Sequence, residues 1–112
     1  MRRVLRSKPM KEVLYRESRL ARILGDPAKY VIVNVLLNEG PLTVNEIVRR
    51  VSRSQPTVSH HLARLRSAEL VRYEVKSDGS YYWIKYSREV KEVVEALNKF
   101  VNRTLHRVHA DD

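Results

Sequence analysis

The chain has no cysteine among its 112 residues, which excludes disulfides, thiolate metal sites and thiol-based sensing. Glycine is almost as scarce, with Gly25, Gly40 and Gly79 too far apart to form a glycine-rich phosphate loop. With no cysteine nucleophile and no spacing that marks a catalytic metal, catalysis is not expected. No apolar run approaches the ~18 residues of a membrane span, and the basic start Met1-Arg2-Arg3-Val4-Leu5-Arg6 lacks the apolar core of a secretory signal. A cytoplasmic protein is expected. Acidic residues are also in deficit: 13 Asp+Glu stand against 22 Lys+Arg, for a net charge of +9 and a pI near 10.2. Such a balance points to a polyanionic partner. The excess is uneven, with 9 basic and 3 acidic groups in residues 1–30 (+6) but 5 of each in residues 87–112 (0). One domain of this length buries modest surface on its own, so association with a second chain is expected.

What is present reads mainly as helix. Residues 1–9 form a basic arm, and Ser7-Lys8-Pro9 is a helix entrance. From residue 10 to residue 24, Val13, Leu14, Leu20, Ala21 and Leu24 make one apolar stripe, which Gly25 can end. Asp26-Pro27 supplies an N-cap and a proline in the first turn, restarting the chain as a second helix. Its Tyr30-Val31-Ile32-Val33-Asn34-Val35-Leu36-Leu37 run has strand propensity, but the cap and the Asn38-Glu39-Gly40-Pro41 stop favour a helix, apolar all round and therefore buried. Leu42 is placed for a single strand-like pairing. Thr43 and Glu46 have capping-box spacing, opening a short third helix that buries Val44, Ile47, Val48 and Val51.

The organising stretch follows directly: Ser54-Gln55-Pro56-Thr57-Val58-Ser59-His60-His61-Leu62-Ala63-Arg64-Leu65-Arg66. At about 100° per residue, Val58, Leu62 and Leu65 share a buried line while His60, Ala63 and Ser67 point away from it. Ser54 is the N-cap, and Pro56 in the first turn removes no intrahelical bond, so the helix start offers free N–H groups to a phosphate. The outward face is small and rich in hydrogen-bonding groups, which suits entry into a DNA major groove. His61 borders the buried face and is expected to be a hydrogen-bonded structural histidine; His60 is the better contact candidate. Two short helices joined by Ser52-Arg53 make a helix-turn-helix, with the second helix as reader.

After residue 69 the period becomes two: Val71, Tyr73 and Val75 alternate with Arg72, Glu74 and Lys76. Ser77-Asp78-Gly79-Ser80 is a hairpin turn and Tyr81-Tyr82-Trp83-Ile84-Lys85-Tyr86 an aromatic return strand. A basic hairpin behind a reading helix is a wing whose tip can reach phosphates with Lys76 and Ser80. Ser87 is a cap for the last helix, striped by Val90, Val93, Val94, Leu97, Val101 and Leu105. Because residues 27–86 already close a unit, the stripes of the first and last helices are left for each other and for a second chain.

The residues Leu24-Gly25-Asp26-Pro27-Ala28-Lys29-Tyr30, Leu42-Thr43-Val44-Asn45-Glu46-Ile47, Ser54 to Leu62 with Leu65-Arg66, and Leu70-Val71 with Tyr81-Tyr82 resemble the ArsR/SmtB family of winged-helix repressors, over roughly residues 20–105. The run from Ser54 to Leu62 carries the most specific likeness. The resemblance implies a homodimeric repressor on a palindromic operator, released by an inducer. Departures are equally informative: Thr43 and Asn45 stand where the thiol sensors of that family have cysteines. Ser87, Glu89, Phe100 and Arg103 occupy the region of the last-helix metal site. Ser52-Arg53 replaces the usual turn glycine, which implies a turn without a left-handed residue. His106 and His109, three apart beside Asp111 and Asp112, are open to nickel or zinc but lack a second fixed ligand pair, so no metal and no cofactor are assigned.

The sequence therefore predicts an α+β, mostly helical, winged helix-turn-helix in the order α-α-α-α-β-β-α, dimeric through its first and last helices. The basic arm covers residues 1–9, the DNA-binding and dimerisation domain residues 10–105, and a tail residues 106–112. Double-stranded DNA is expected to meet Arg53, Ser54, Gln55, Thr57, Ser59, His60, Arg64, Lys76 and Ser80. The dimer interface is expected at Val13, Leu14, Leu20, Val90, Val94, Leu97 and Val101. An architectural protein that coats any duplex and a winged-helix protein-interaction module are the alternatives. The sequence does not identify an inducer.

Overall fold

The structure, a computed structural model, describes residues 11–111, with side chains through residue 105. The basic arm and the His106 and His109 side chains lie outside the described residues. Seven elements follow one another: α1 (Glu12–Leu24), α2 (Pro27–Glu39), α3 (Val44–Val51), α4 (Gln55–Ser67), β1 (Val71–Lys76), β2 (Gly79–Ile84) and α5 (Ser87–Asp111). The order is the one the sequence predicts, and α5 continues as helix past residue 105.

Local chemistry sets most of the boundaries. Asp26 caps α2 by accepting the Lys29 N–H at 3.0 Å, with Pro27 as its first residue. At its far end the Gly40 N–H reaches the Leu36 carbonyl at 2.9 Å, and a Cβ at Gly40 would sit 2.7 Å from that oxygen, so only glycine fits the approach. The capping box of α3 is complete: the Glu46 carboxylate accepts the Thr43 N–H at 2.9 Å, and the Thr43 hydroxyl accepts the Glu46 N–H at 3.2 Å. Leu42 exchanges two backbone hydrogen bonds with Tyr82, at 3.0 and 2.8 Å, forming the expected single bridge against the hairpin.

The core lies where α2, α3 and α4 meet. Ile32, Val33, Ile47, Val58, Leu62 and Leu65 are fully inaccessible. Each such side chain contributes about 1.5–3 kcal/mol relative to exposure. Leu42, Leu70, Val71 and Ile84 close the core from the hairpin side, and Leu24 and Val90 are the buried residues that α1 and α5 lend to it.

Five expectations are corrected. The turn between α3 and α4 does hold a left-handed residue: Ser52 has φ 55° and ψ 45°. Ending α3 and reversing into α4 within three residues requires that conformation, and serine adopts it at a cost of roughly 1 kcal/mol. α2 is not buried all round, since Val31 faces solvent. In the hairpin, Lys76 pairs with Gly79 across a two-residue loop, so β2 starts at Gly79, whose φ of 141° suits glycine, and ends at Ile84. The Lys85 N–H then bonds Leu70 and the Tyr86 carbonyl accepts the Val90 N–H, which makes Ser87 the first helical residue rather than the cap. Finally, the alternation of β1 buries only Val71; Tyr73 and Val75 are exposed because no layer covers the distal wing.

Candidate nucleic-acid interface

Helix α4 owes its orientation to Val58, Leu62 and Leu65, which are drawn fully into the core and force the opposite face outward. Gln55, Ser59, His60, Ala63, Arg64, Arg66 and Ser67 are all exposed on it. The N-terminal turn is more tightly organised than the sequence alone conveys. The Ser54 hydroxyl accepts the Thr57 N–H at 3.3 Å and donates to the Thr57 hydroxyl at 2.9 Å. Both polar side chains are thereby engaged with each other, and Thr57 is half-buried. Pro56 has no N–H, so Gln55 supplies the one first-turn backbone donor left over, directly beside its own exposed amide. The expected row of free N–H groups is thus reduced to that of Gln55.

Arg53, on the turn, is exposed and only loosely tied to the Ser52 carbonyl at 3.5 Å. In the wing, Lys76 is exposed at the tip with its ammonium 5.5 Å from the Tyr81 ring, and the Tyr81 hydroxyl donates to Asp78 at 2.7 Å. That hydrogen bond raises the Tyr81 pKa. Ser80 is half-buried within β2 opposite Val75, away from the tip itself.

Several residues that brace this surface escape a sequence reading because they join distant segments. Arg66 stacks over Tyr73 at 4.0 Å, a cation–π contact that couples the end of the reading helix to the wing. The Lys85 ammonium pairs with Glu69, which holds the Glu69 carboxyl below its ordinary value and raises Lys85. Arg50 ties α3 to α2 through Glu39 at 2.6 Å. His61 takes the border position expected, but its Nδ1 is buried with no hydrogen-bond partner among the described residues. This corrects the expectation of a hydrogen-bonded histidine. Burial holds its pKa below the ordinary 6.5, Lys29, His60 and Arg53 add to the depression, and Asp26 opposes it.

The expected dimer residues are half-buried or exposed, with the exception of Val90. Val13, Leu14, Leu20, Leu97 and Val101 are all exposed large apolar side chains, and Val94 is half-buried. The exposed five lie along α1 and α5 on faces that the core does not cover, while Val94 packs against the core. Among the described residues no group of three or more metal-ligating side chains comes together, and no helix is long and apolar enough to cross a membrane.

A family model described as "Bacterial regulatory protein, arsR family" matches residues 26–73, from the cap of α2 to the middle of β1. An uncharacterised HTH-type transcriptional regulator of Methanocaldococcus jannaschii is 31% identical over 78 residues, covering 70% of this chain and 86% of that one. The arsenical resistance operon repressor of Staphylococcus aureus is 31% identical over 86 residues, covering 75% and 80%. Among solved structures, HlyU from Vibrio cholerae superposes with a TM-score of 0.71 at 28% identity, over 81% of this chain and 97% of that one. The homodimeric winged helix-turn-helix DNA-binding domain of a possible ArsR-family regulator from Mycobacterium bovis gives the same TM-score at 21% identity, over 81% and 86%, a likeness of fold. With its exposed reading helix, its wing and these relatives together, the chain belongs to the arsR family of regulatory proteins and is a winged helix-turn-helix DNA-binding regulator of transcription.

Proposed function

We propose that the protein is a homodimeric, sequence-specific repressor that sits on a palindromic operator in the cytoplasm, without thiol-based sensing and without catalysis. The observation that carries this reading is the division of α4: Val58, Leu62 and Leu65 are fully buried while Gln55, Ser59 and His60 stand free on the other side. These three are assigned to base edges, where an amide, a hydroxyl and an imidazole offer directional donors and acceptors. Arg53, Arg64 and Lys76 are assigned to phosphates as exposed cations, with Ser54, Thr57 and Ser80 as positioning hydroxyls beside the backbone. The two-chain state is supported by the apolar stripes of α1 and α5, and repression by occlusion of a promoter is the simplest use of such a dimer. The chain's lack of cysteine removes the soft ligands that a thiol sensor requires.

Selection of bound duplexes from a random library at near-physiological salt tests the proposal. It predicts an enriched palindrome with half-sites about 34–36 Å apart, and relaxed preference at one base pair for the Gln55→Ala variant. Binding without enrichment would replace it by an architectural role, and no binding by a protein-interaction module.

A further inference from the structure

The reading helix is flanked by two charged clefts, and their cations are used differently. On the wing side, between α4 and β1, Arg66 lies over Tyr73 and Lys85 is paired with Glu69. These cations already have internal partners. On the other side, a cleft of about 930 Å³ opens between α1, the start of α2 and the end of α4. Arg19, Arg22, Lys29 and Arg64 line it, with Asp26 as its one carboxylate.

That carboxylate is committed: it caps α2 through the Lys29 N–H at 3.0 Å and faces the Lys29 ammonium at 3.8 Å. Among the described residues, Arg19, Arg22 and Arg64 have neither a carboxylate nor a hydrogen-bond acceptor; Arg19 only rests 5.9 Å from the Tyr15 ring centre. Three arginines and Lys29 along one concavity concentrate positive charge there, and the planar donor forks of the guanidiniums match phosphate oxygens. The cleft is also in the right place. Arg64 follows His60 by one helical turn, so the cleft begins at the edge of the base-reading face, where a duplex carries its sugar-phosphate strand. On α1, Tyr15, Arg19 and Arg22 lie opposite Val13, Leu20 and Leu24 at about 100° per residue, so pairing through the apolar stripe leaves the cleft open.

We propose that this cleft is a phosphate-binding site, with Arg19, Arg22 and Arg64 as its ligand-holding residues. The phosphate is carried either by the backbone of bound DNA or by a small phosphorylated molecule. The DNA source rests on the DNA-reading function proposed above, and the small-molecule source does not.

The test compares the wild type, the double variant Arg19→Gln/Arg22→Gln, and the charge-matched control Arg88→Gln/Arg103→Gln, whose sites lie on α5, each checked for helical content by circular dichroism. One arm measures the salt dependence of binding to a duplex; the other titrates inorganic tripolyphosphate into the free protein by calorimetry. If the backbone fills the cleft, the cleft variant loses about 0.9 of salt slope per lost contact, roughly 1.8 in all, and the control loses less. If a small molecule fills it, tripolyphosphate binds the wild type and control, the cleft variant loses that binding at least about tenfold, and the slope is unchanged. Equal behaviour of cleft variant and control in both arms overturns the proposal. A wild type that binds no duplex would refute the DNA-reading function, and the tripolyphosphate arm would then decide the cleft by itself.

Discussion

Residues 27–86 and the two helices around them are built from the same apolar residue types, yet they bury them to opposite extents. Ile32, Ile47, Val58 and Leu62 in the central unit are 0% exposed, whereas Val13 on α1 and Leu97 and Phe100 on α5 are 65, 44 and 70% exposed. The central unit is complete within one chain: its caps are made, its helices meet in one core, and its hairpin is pinned by the bridge from Leu42 to Tyr82. The outer helices are incomplete within one chain. Their stripes keep helical spacing over several turns, a pattern with no value to an element meant to face water. The difference teaches that the proposed tasks of reading DNA and holding a second copy fall to separate parts of the sequence.

Substitutions that respect this division sharpen it. The largest effect is expected in the core, where Leu62→Ala should lower unfolding stability by about 2–5 kcal/mol in urea titrations. A loss below about 1 kcal/mol would mean that α4 is not anchored as described. Leu97→Glu should leave the central unit folded but weaken self-association by about 30-fold or more, because a carboxylate buried in an apolar contact costs at least about 2 kcal/mol. Sedimentation equilibrium checks it, and an unchanged mass at all concentrations would break the comparison at its outer half.

Caps give intermediate effects. Thr43→Ala should cost about 1 kcal/mol through loss of the α3 cap. The same box has a pH signature: hydrogen bonding by the Thr43 N–H holds the Glu46 carboxyl below its ordinary 4.5. Folding therefore favours the ionised form, so its stabilisation is present above pH 4.5 and lost as pH falls through the lower folded value. Acid titration of stability should be flatter below pH 4.5 in a Glu46→Gln variant, which removes the titrating carboxyl, whereas alanine at position 43 keeps the backbone donor and most of the slope. The smallest effect is expected at Ser52→Gly, which relieves the left-handed strain while loosening the unfolded chain, for a net gain of about 0.5 kcal/mol. A loss on thermal unfolding would show that the serine side chain itself supports the turn.

These cases also show which features a sequence carries openly. Asp26-Pro27, Thr43 with Glu46, and Ser54 are legible because a cap is a local event among four residues, and the buried line of Val58, Leu62 and Leu65 follows from helix geometry alone. Ser52 was hidden because its backbone is dictated by how α3 and α4 cross, with no glycine to mark it. The alternation along β1 identifies a strand but not whether any layer covers it, so the exposure of Val75 had no local signal. The orphaned Nδ1 of His61 and the cleft of Arg19, Arg22, Lys29 and Arg64 depend on three helices meeting, and spacing within any one of them contains no trace of that. For the outward face of α4, the exposed side chains were legible, while the engagement of Ser54 with Thr57 needed the folded turn.

The most direct test of the account is operator affinity as a function of half-site spacing, measured by fluorescence anisotropy on duplexes whose two half-sites are separated by the selected distance or by that distance plus half a helical turn. A pair of reading helices held at fixed separation by α1 and α5 predicts tight, cooperative binding at about 34–36 Å between half-sites and a loss of at least about tenfold when one half-site is rotated to the far side of the duplex. Equal affinity at both spacings would mean that the outer helices do not fix two readers in place, contradicting the division on which the account rests.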